Sequence, residues 1–302
     1  MSDLLRSVLD PLFLRKINRL RLTVRHSFDT RPGNTPMPRG SQPSGLEIAN
    51  HRVFADGDDP RYLDWNAYGR LDQLLVKTFR AEREAPLHIL IDTSASMGIP
   101  VADHKLAFAG AVAASLAYIS LRHQDPVRLV GLGGAETAEV VSPVFRHVRR
   151  LPEMETFLRR LAPQGPTALA ERVERYLRLT RLPGVAIVLS DFLVPRSDYE
   201  HALERLYGRG CAVAALRVIG TLEKDPGHLP RRVRLRDAET GGERTVTMTA
   251  VNRQRYVDAF EDHLAQLKRW CEAHAVAFAV PDTAQGLENC LFDELPRAGL
   301  LH

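Results

Sequence analysis

Short runs of branched apolar residues alternate along the chain with longer segments whose apolar residues recur at helical spacing. The clearest run is Leu-His-Ile-Leu-Ile at 87–91, which is typical of a strand buried on both faces. Further strands are predicted at 127–132, 139–145 (an edge strand), 185–189, 211–219 and 276–280, and helices at 105–121, 153–161, 168–180, 199–207 and 252–273. This alternation predicts an α/β fold of the Rossmann type: a doubly wound, mainly parallel sheet covered on both faces.

Outside this pattern the chain has three other kinds of segment. Residues 2–22 have apolar positions near helical spacing and predict a short amphipathic helix, interrupted at Pro11. Residues 31–45 are rich in Pro, Gly and Ser and predict a loop or flexible arm. Two strand-like runs around 239–243 predict a β-hairpin. The predicted organisation is an N-terminal helical segment (1–30), an N-terminal extension with the Pro/Gly-rich loop (31–84), and a main domain (85–295) with the hairpin inserted at 233–248.

Composition supports a globular protein and argues against a nucleic-acid-binding one. The chain has 302 residues, of which 44% are hydrophobic, so it can bury one substantial core. Its 41 basic and 37 acidic residues leave a net charge of only +4. The basic residues are almost all arginine and form no compact stripe with interleaved aromatic residues, so we expect no nucleic-acid partner.

The cysteines and the apolar runs indicate where in the cell the protein is located. Cys211, Cys271 and Cys290 are far apart and form no C-x-x-C pair, which predicts reduced thiols and a cytoplasmic location. The first ten residues are broken by charge too early for a secretory signal. The longest apolar run, 106–121, is Ala-rich and shorter than the roughly 20 residues of a membrane span, so we expect no integral membrane segment.

Oxygen-bearing side chains directly follow two of the predicted strands and directly precede one of the predicted helices. Asp92, Ser94 and Ser96 come directly after the 87–91 strand, Thr167 precedes the 168–180 helix, and Asp191 follows the 185–189 strand. We expect these five side chains to reach the same rim of the sheet, where open α/β sheets bind their ligands. Two carboxylates and three hydroxyls, without sulfur or imidazole, favour Mg²⁺ or Mn²⁺ over zinc.

Each of these residues also has a purely structural interpretation. Asp-x-Ser-x-Ser can simply form the strand-to-helix turn, Thr167 can cap the following helix, and Asp191 can be a turn residue. His88 and His104 lie near the turn and are expected to be core or surface residues rather than metal ligands.

The joint pattern resembles a known site and a known family. Asp92-x-Ser94-x-Ser96, Thr167 and Asp191 resemble the metal-ion-dependent adhesion site of von Willebrand factor A domains. The upstream residues are similar to the DUF58 family, and so are Lys105 and a motif in the hairpin. The residues that carry the DUF58 resemblance are Gly45, Glu47, Arg52, Phe54, Gly57, Asp58, Arg61, Asp64, Trp65, Arg70, Lys105, Asp237, Glu239, Thr240 and Gly241.

The resemblance implies an A-domain-like sheet with an N-terminal extension and a role for each site residue. Asp92, Ser94 and Ser96 would hold the cation directly or through water. Thr167 would become a ligand when a partner arrives, and Asp191 would be a ligand or a hydrogen-bond acceptor behind the ligands. Pro166 stands where the family commonly has glycine, which would restrict the movement of Thr167. The family also implies association with AAA+ ATPases of the MoxR type.

These expectations favour a non-enzymatic, metal-dependent adaptor that presents its cation to an acidic residue of a protein partner. That partner would be a MoxR-type ATPase or a client that the ATPase remodels. The alternative is a metal-dependent hydrolase acting on phosphate substrates. A hydrolase needs a positioned base, and the only candidates beside the metal are the two aspartates already assigned to it. The sequence also has no P-loop glycine-lysine motif.

Overall fold

The computed structural model describes residues 8, 10–23, 47–55, 60, 63–80, 86–133, 140–180, 184–239 and 241–302. The predicted arm at 31–45 and the motif residues Gly45, Gly57, Asp58, Arg61 and Thr240 lie outside these ranges. The chain divides into two compact units: Arg31–Glu84, and a larger unit of Met1–Thr30 with Ala85–His302.

The elements are numbered in chain order over both units. The strands are β1 (Glu47–Val53), β2 (Leu75–Arg80), β3 (Leu87–Asp92), β4 (Val127–Leu132), β5 (Val140–Val141), β6 (Val185–Ser190), β7 (Ala212–Arg217), β8 (Arg232–Arg236), β9 (Glu243–Thr247) and β10 (Ala277–Ala279). The α-helices are α1 (Pro11–Ile17), α2 (Trp65–Leu71), α3 (Lys105–Arg122), α4 (Leu151–Arg160), α5 (Leu169–Leu179), α6 (Arg196–Gly208), α7 (Thr221–Lys224), α8 (Ala250–Ala273), α9 (Gly286–Asn289) and α10 (Leu295–Arg297).

The larger unit is built on a six-stranded sheet in the order β10-β7-β6-β3-β4-β5. All neighbours pair in parallel except β5, which runs antiparallel to β4 at the edge. Strand β3 lies between β4 and β6, with Leu87 opposite Val127 on one side and Val185 on the other. The predicted doubly wound, mainly parallel α/β sheet is confirmed, and the predicted hairpin is present as β8 and β9.

Each face of the sheet buries its own apolar core, because side chains alternate between the two faces along a strand. On β3, Ile89 and Ile91 face the core that contains α3 and α4, whereas Leu90 faces the core that contains α5, α6 and the end of α8. Burial on both faces explains why β3 reads as a continuous apolar run rather than an alternating one.

Helix α3 is buried over nearly its whole length, in agreement with its continuous apolar and small residues. Among the residues that the structure describes, the segment Val101–Arg122 is long and apolar enough to cross a membrane by length and composition. Of its apolar window, 94% is buried inside the protein.

The smaller unit contains an antiparallel pair, β1 and β2, whose register is irregular between Ile48 and Asn50. Asp64 caps α2, because its Oδ1 accepts hydrogen bonds from the backbone N–H groups of Asn66 and Ala67 at 3.0 and 3.1 Å.

The N-terminal helix is interrupted at Pro11 as predicted: Val8 is helical, Asp10 is not, and α1 begins at Pro11. Proline suits this first helical position because it lacks only an N–H that would be unpaired there. Asp10 caps this helix through the N–H of Leu12 at 2.8 Å. In the described residues 140–145, the predicted 139–145 edge strand is reduced to β5 and one isolated bridge between Val127 and Phe145.

Candidate metal-binding site

Asp92, the last residue of β3, is fully buried at the carboxyl end of the sheet. Its Oδ1 accepts a hydrogen bond from the backbone N–H of Ser94 at 2.8 Å, so the carboxylate shapes the turn that follows the strand. Its Oδ2 accepts from the hydroxyl of Ser190, the last residue of the neighbouring β6, at 2.5 Å. The carboxylate is therefore fixed by two adjacent strand ends.

The two serines of the turn lie together beside this carboxylate. Ser94 precedes the short 3₁₀ helix Ala95–Gly98 and is buried, while Ser96 is half-buried. Their hydroxyl oxygens are 2.9 Å apart. Asp92, Ser94 and Ser96 are thus brought to one place, as the Asp-x-Ser-x-Ser spacing predicts.

The loop that carries Thr167 is tied to this turn by backbone hydrogen bonds. The N–H of Ala95 donates to Gly165 O at 3.0 Å, and the N–H of Gln164 donates to Thr93 O at 2.9 Å. Thr167 itself is half-buried, and its hydroxyl donates to Glu239 Oε1 at the tip of the hairpin. The loop therefore connects the turn after β3 to the hairpin.

The interpretation of Thr167 as a helix cap is wrong. Helix α5 begins at Leu169, and the N-cap position is Ala168, so Thr167 lies one residue too early. The cap comes from α6 instead: Asp198 accepts from the N–H groups of Leu169 and Ala170 at 2.8 and 3.2 Å. Sequence analysis could not find this cap, because Asp198 is distant from the helix along the chain.

Asp191 follows β6, as predicted, and is fully buried. Its Oδ2 accepts from Lys105 Nζ at 2.8 Å, and its Oδ1 accepts from the backbone N–H of Leu193 at 3.2 Å. Lys105 also lies 3.1 Å from Glu223 Oε2, and both of these side chains are buried. Because Lys105 pairs with the charge of Asp191, this arrangement favours the interpretation of Asp191 as an acceptor behind the ligands.

Glu223 is a site residue that sequence analysis missed. It lies in the short helix α7, in the polar stretch Thr-Leu-Glu-Lys, which gives no sign of burial. Arg217, at the end of β7, is also fully buried and packs over the ring of Phe260, with the guanidinium carbon 4.7 Å from the ring centroid. The sequence likewise gives no sign that this arginine is buried at the end of a strand.

Burial and like charge together disfavour the ionised form of Asp92. Burial, and after it the charge of Asp191, raises the pKa of Asp92 from its ordinary 3.8 to about 7, although hydrogen bonds from Ser190 and Ser94 oppose the rise. Burial also raises the pKa of Glu223, against the effect of Lys105. Burial lowers the pKa of Lys105, but Asp191 and Glu223 outweigh it and leave that pKa raised.

The balance of buried charge and the donor chemistry both fit a hard divalent cation. The buried carboxyl groups of Asp92, Asp191 and Glu223 lie with the buried cationic groups of Lys105 and Arg217. A cation beside Asp92 would offset the repulsion between Asp92 and Asp191, and carboxylate and hydroxyl oxygens are suitable ligands for Mg²⁺. In the described ranges no group of three or more His, Cys, Asp and Glu is placed to hold a metal, so this site would depend on its hydroxyls.

The comparison with known families identifies the family of this chain. Residues 50–266 match the model of the family described as "Protein of unknown function DUF58". The chain belongs to the DUF58 family. Three of the DUF58 motif residues noted in the sequence lie at the candidate site or support it: Lys105 pairs with Asp191, Glu239 accepts from Thr167, and Asp237 accepts from the N–H of Glu239 at 2.8 Å.

This DUF58 chain is similar to several proteins known by sequence or by structure. It is 28% identical over 274 residues to "Uncharacterized protein Rv1480" of Mycobacterium tuberculosis, covering 86% of this chain and 81% of the relative. Among solved structures, it is similar to BatB from Bacteroides thetaiotaomicron, with a TM-score of 0.37, 16% identity, and 62% and 99% of the two chains covered. A von Willebrand factor type A structure from Catenulispora acidiphila has a TM-score of 0.33, 16% identity, and coverages of 48% and 35%.

Proposed function

We propose that this DUF58 chain is a non-enzymatic adaptor that binds one Mg²⁺ or Mn²⁺ at the carboxyl end of β3. Asp92, Ser94 and Ser96 would hold the cation directly or through water, Thr167 would join them when a partner docks, and Asp191 would stay behind them, fixed by Lys105. The cation would supply an electrophilic position that an acidic side chain of a protein partner can occupy. By family resemblance, that partner is a MoxR-type AAA+ ATPase or its client.

The environment of Asp92 is the observation that carries this proposal. A fully buried carboxyl group with a neighbouring carboxylate is costly to keep ionised, and proteins place such groups at functional sites more often than elsewhere. Two hydroxyl oxygens 2.9 Å apart lie on the same turn and would complete a hard-oxygen donor set.

Exposed apolar side chains next to the site support a protein as the partner. Ile99 and Val101 follow the serine turn and are 49% and 75% exposed, and Leu193, two residues after Asp191, is 45% exposed. Exposed apolar side chains that lie beside polar groups are found at protein–protein contact sites.

The engagement of both aspartates favours an adaptor over a phosphate hydrolase. A general base must be free to accept a proton from water. Asp191 is held by Lys105 and Leu193, and Asp92 by Ser94 and Ser190, so each carboxylate already has a fixed structural partner.

Capture of a purified MoxR-type ATPase from the same genome by the full-length chain tests the proposal. We expect a complex in Mg²⁺ that is weakened by EDTA and by Ser96→Ala or Thr167→Ala. Ser197→Ala, an exposed serine on α6, is the matched control and should bind as wild type does. A complex that keeps its full strength in EDTA would contradict the adaptor proposal, and phosphate hydrolysis lost in Asp92→Asn would favour the hydrolase instead.

A further inference from the structure

The β8–β9 hairpin is a two-stranded ribbon that protrudes with both faces largely uncovered. In both strands, only Val233 and Val246 are even half-buried, and every other side chain is exposed. A two-stranded ribbon that packs against so little is marginally stable by itself. The ribbon can therefore change its position without disturbing either apolar core.

The tip of this ribbon holds one acidic side chain in a fixed place. The N–H of Asp237 donates to Gly242 O at 2.8 Å, and the N–H of Gly241 donates to Asp237 O at 3.0 Å. Gly241 has φ +71°, a backbone conformation that glycine adopts without strain. The N–H of Glu239 donates to Asp237 Oδ1 at 2.8 Å, so the turn presents Glu239 at its end.

Glu239 lies against the candidate metal site. Its Oε1 accepts the hydrogen bond from the Thr167 hydroxyl, and both residues are half-buried. Thr167 belongs to the loop that is tied to the serine turn through Gly165 and Ala95. A carboxylate from the chain itself thus occupies the neighbourhood that, under the proposed function, receives a carboxylate from a partner.

We propose that Glu239 is a built-in competitor for the partner's acidic residue, and that the hairpin tip must leave Thr167 before a partner carboxylate reaches the cation. This inference rests on the proposed function. Two carboxylates at one coordination position repel each other, and a tethered one has an effective concentration in the millimolar range. A protein whose binding-competent state is only partly populated binds its ligand more weakly in proportion.

The charge of the ribbon fits its release by an acidic partner. Five exposed arginines lie along its strands and base: Arg231, Arg232, Arg234, Arg236 and Arg244. An acidic surface that approaches the cation would also attract these side chains, and so stabilise the ribbon away from Thr167.

The experiment uses the full-length chain loaded with Mn²⁺ and trifluoroacetate as a minimal carboxylate probe. Paramagnetic Mn²⁺ broadens the ¹⁹F resonance only when the carboxylate reaches the metal. We expect little broadening at the wild-type site, and an increase of about tenfold in Glu239→Ala, because the tethered competitor is removed. Glu243→Ala is the matched control, since Glu243 lies on the same ribbon but pairs with Arg234, and it should behave as wild type.

The Asp92→Asn variant separates failure of this inference from failure of the proposed function. If Asp92→Asn loses Mn²⁺ binding that wild type shows, while Glu239→Ala broadens the ¹⁹F resonance no more than wild type does, the site holds the cation and Glu239 is not a competitor. If Asp92→Asn binds Mn²⁺ as wild type does, Asp92 does not hold the cation and the proposed function itself fails. Hydrogen exchange provides a second measurement: the amides of 232–247 should exchange faster in Glu239→Ala, and unchanged exchange would overturn the inference.

Discussion

Replacement of Asp92 by asparagine should make the protein more stable in EDTA at neutral pH, although it removes the central group of the candidate site. Asparagine has nearly the shape of aspartate and can still accept from the Ser94 N–H, but it carries no charge. The variant therefore removes the cost of a buried carboxylate beside Asp191 and leaves the fold of the turn in place.

The size of the effect follows from the raised pKa of Asp92. A rise of the pKa from 3.8 to about 7 means that ionised Asp92 lowers the free energy of unfolding by about 4 kcal/mol. Asparagine turns an N–H₂ group toward the Ser190 hydroxyl, which now lacks its acceptor, at a cost of about 1 kcal/mol or more. We expect a net gain of about 1–3 kcal/mol in the free energy of unfolding.

The pH dependence identifies the carboxyl group as the cause. Because the pKa of Asp92 is raised in the folded state, its penalty is absent below about pH 3.8 and complete above about pH 7. The stability difference between Asp92→Asn and wild type should therefore grow across this window. Urea unfolding in EDTA at several pH values measures it, with Asp258→Asn, an exposed aspartate on α8, as the control. A variant no more stable than wild type above pH 7 would refute the reasoning.

Three further predictions concern the surroundings of the site. Lys105→Met should lower the free energy of unfolding by about 3–5 kcal/mol in a denaturant titration, because it removes the cation that contacts two buried carboxylates. Asp198→Ala should cost about 1 kcal/mol in the same assay, because it removes the cap of α5. All three cysteine thiols should be unreactive toward a thiol reagent in the folded protein, because burial raises the pKa of Cys211, and raises the pKa of Cys271 and Cys290 to about 12.

Matched variants show what would contradict these predictions. Lys268→Met removes an exposed lysine from α8 and should change the free energy of unfolding by less than about 0.5 kcal/mol. If Lys105→Met changes it by as little, the result would argue against a buried charge cluster. Thr167→Ala should cost less than Asp198→Ala; the reverse order would restore Thr167 as the cap. A thiol that reacts quickly in the folded state would contradict the burial of the cysteines.

The central strands could be predicted from sequence because burial on both faces leaves a continuous apolar run. Strand β4 was predicted with its observed bounds, and β3 lacked only Asp92. The order of the strands in the sheet is set by packing between distant segments, and no local sequence pattern predicts it. The same applies to the predicted 139–145 strand, where in the described residues 140–145 β4 pairs with Val140 and Val141 and makes one isolated bridge to Phe145.

The candidate site was predictable only where its residues are neighbours in the chain. The spacing of Asp92, Ser94 and Ser96 places them on one turn, so local sequence is sufficient. Glu223 reaches Lys105 only because α7 folds over the end of the sheet, and Glu239 reaches Thr167 across 72 residues. Contacts of this kind depend on tertiary structure, which also explains why Asp198 replaced Thr167 as the cap.

Mn²⁺ titration of the full-length chain, followed by electron paramagnetic resonance, tests the proposed cation site most directly. Wild type should bind one Mn²⁺ per chain, and Mg²⁺ should displace it. Asp92→Asn should remain folded, with raised stability in EDTA, and should lose this binding, while Asp258→Asn should keep it. Equal Mn²⁺ uptake by wild type and by folded Asp92→Asn would contradict a cation held at the end of β3.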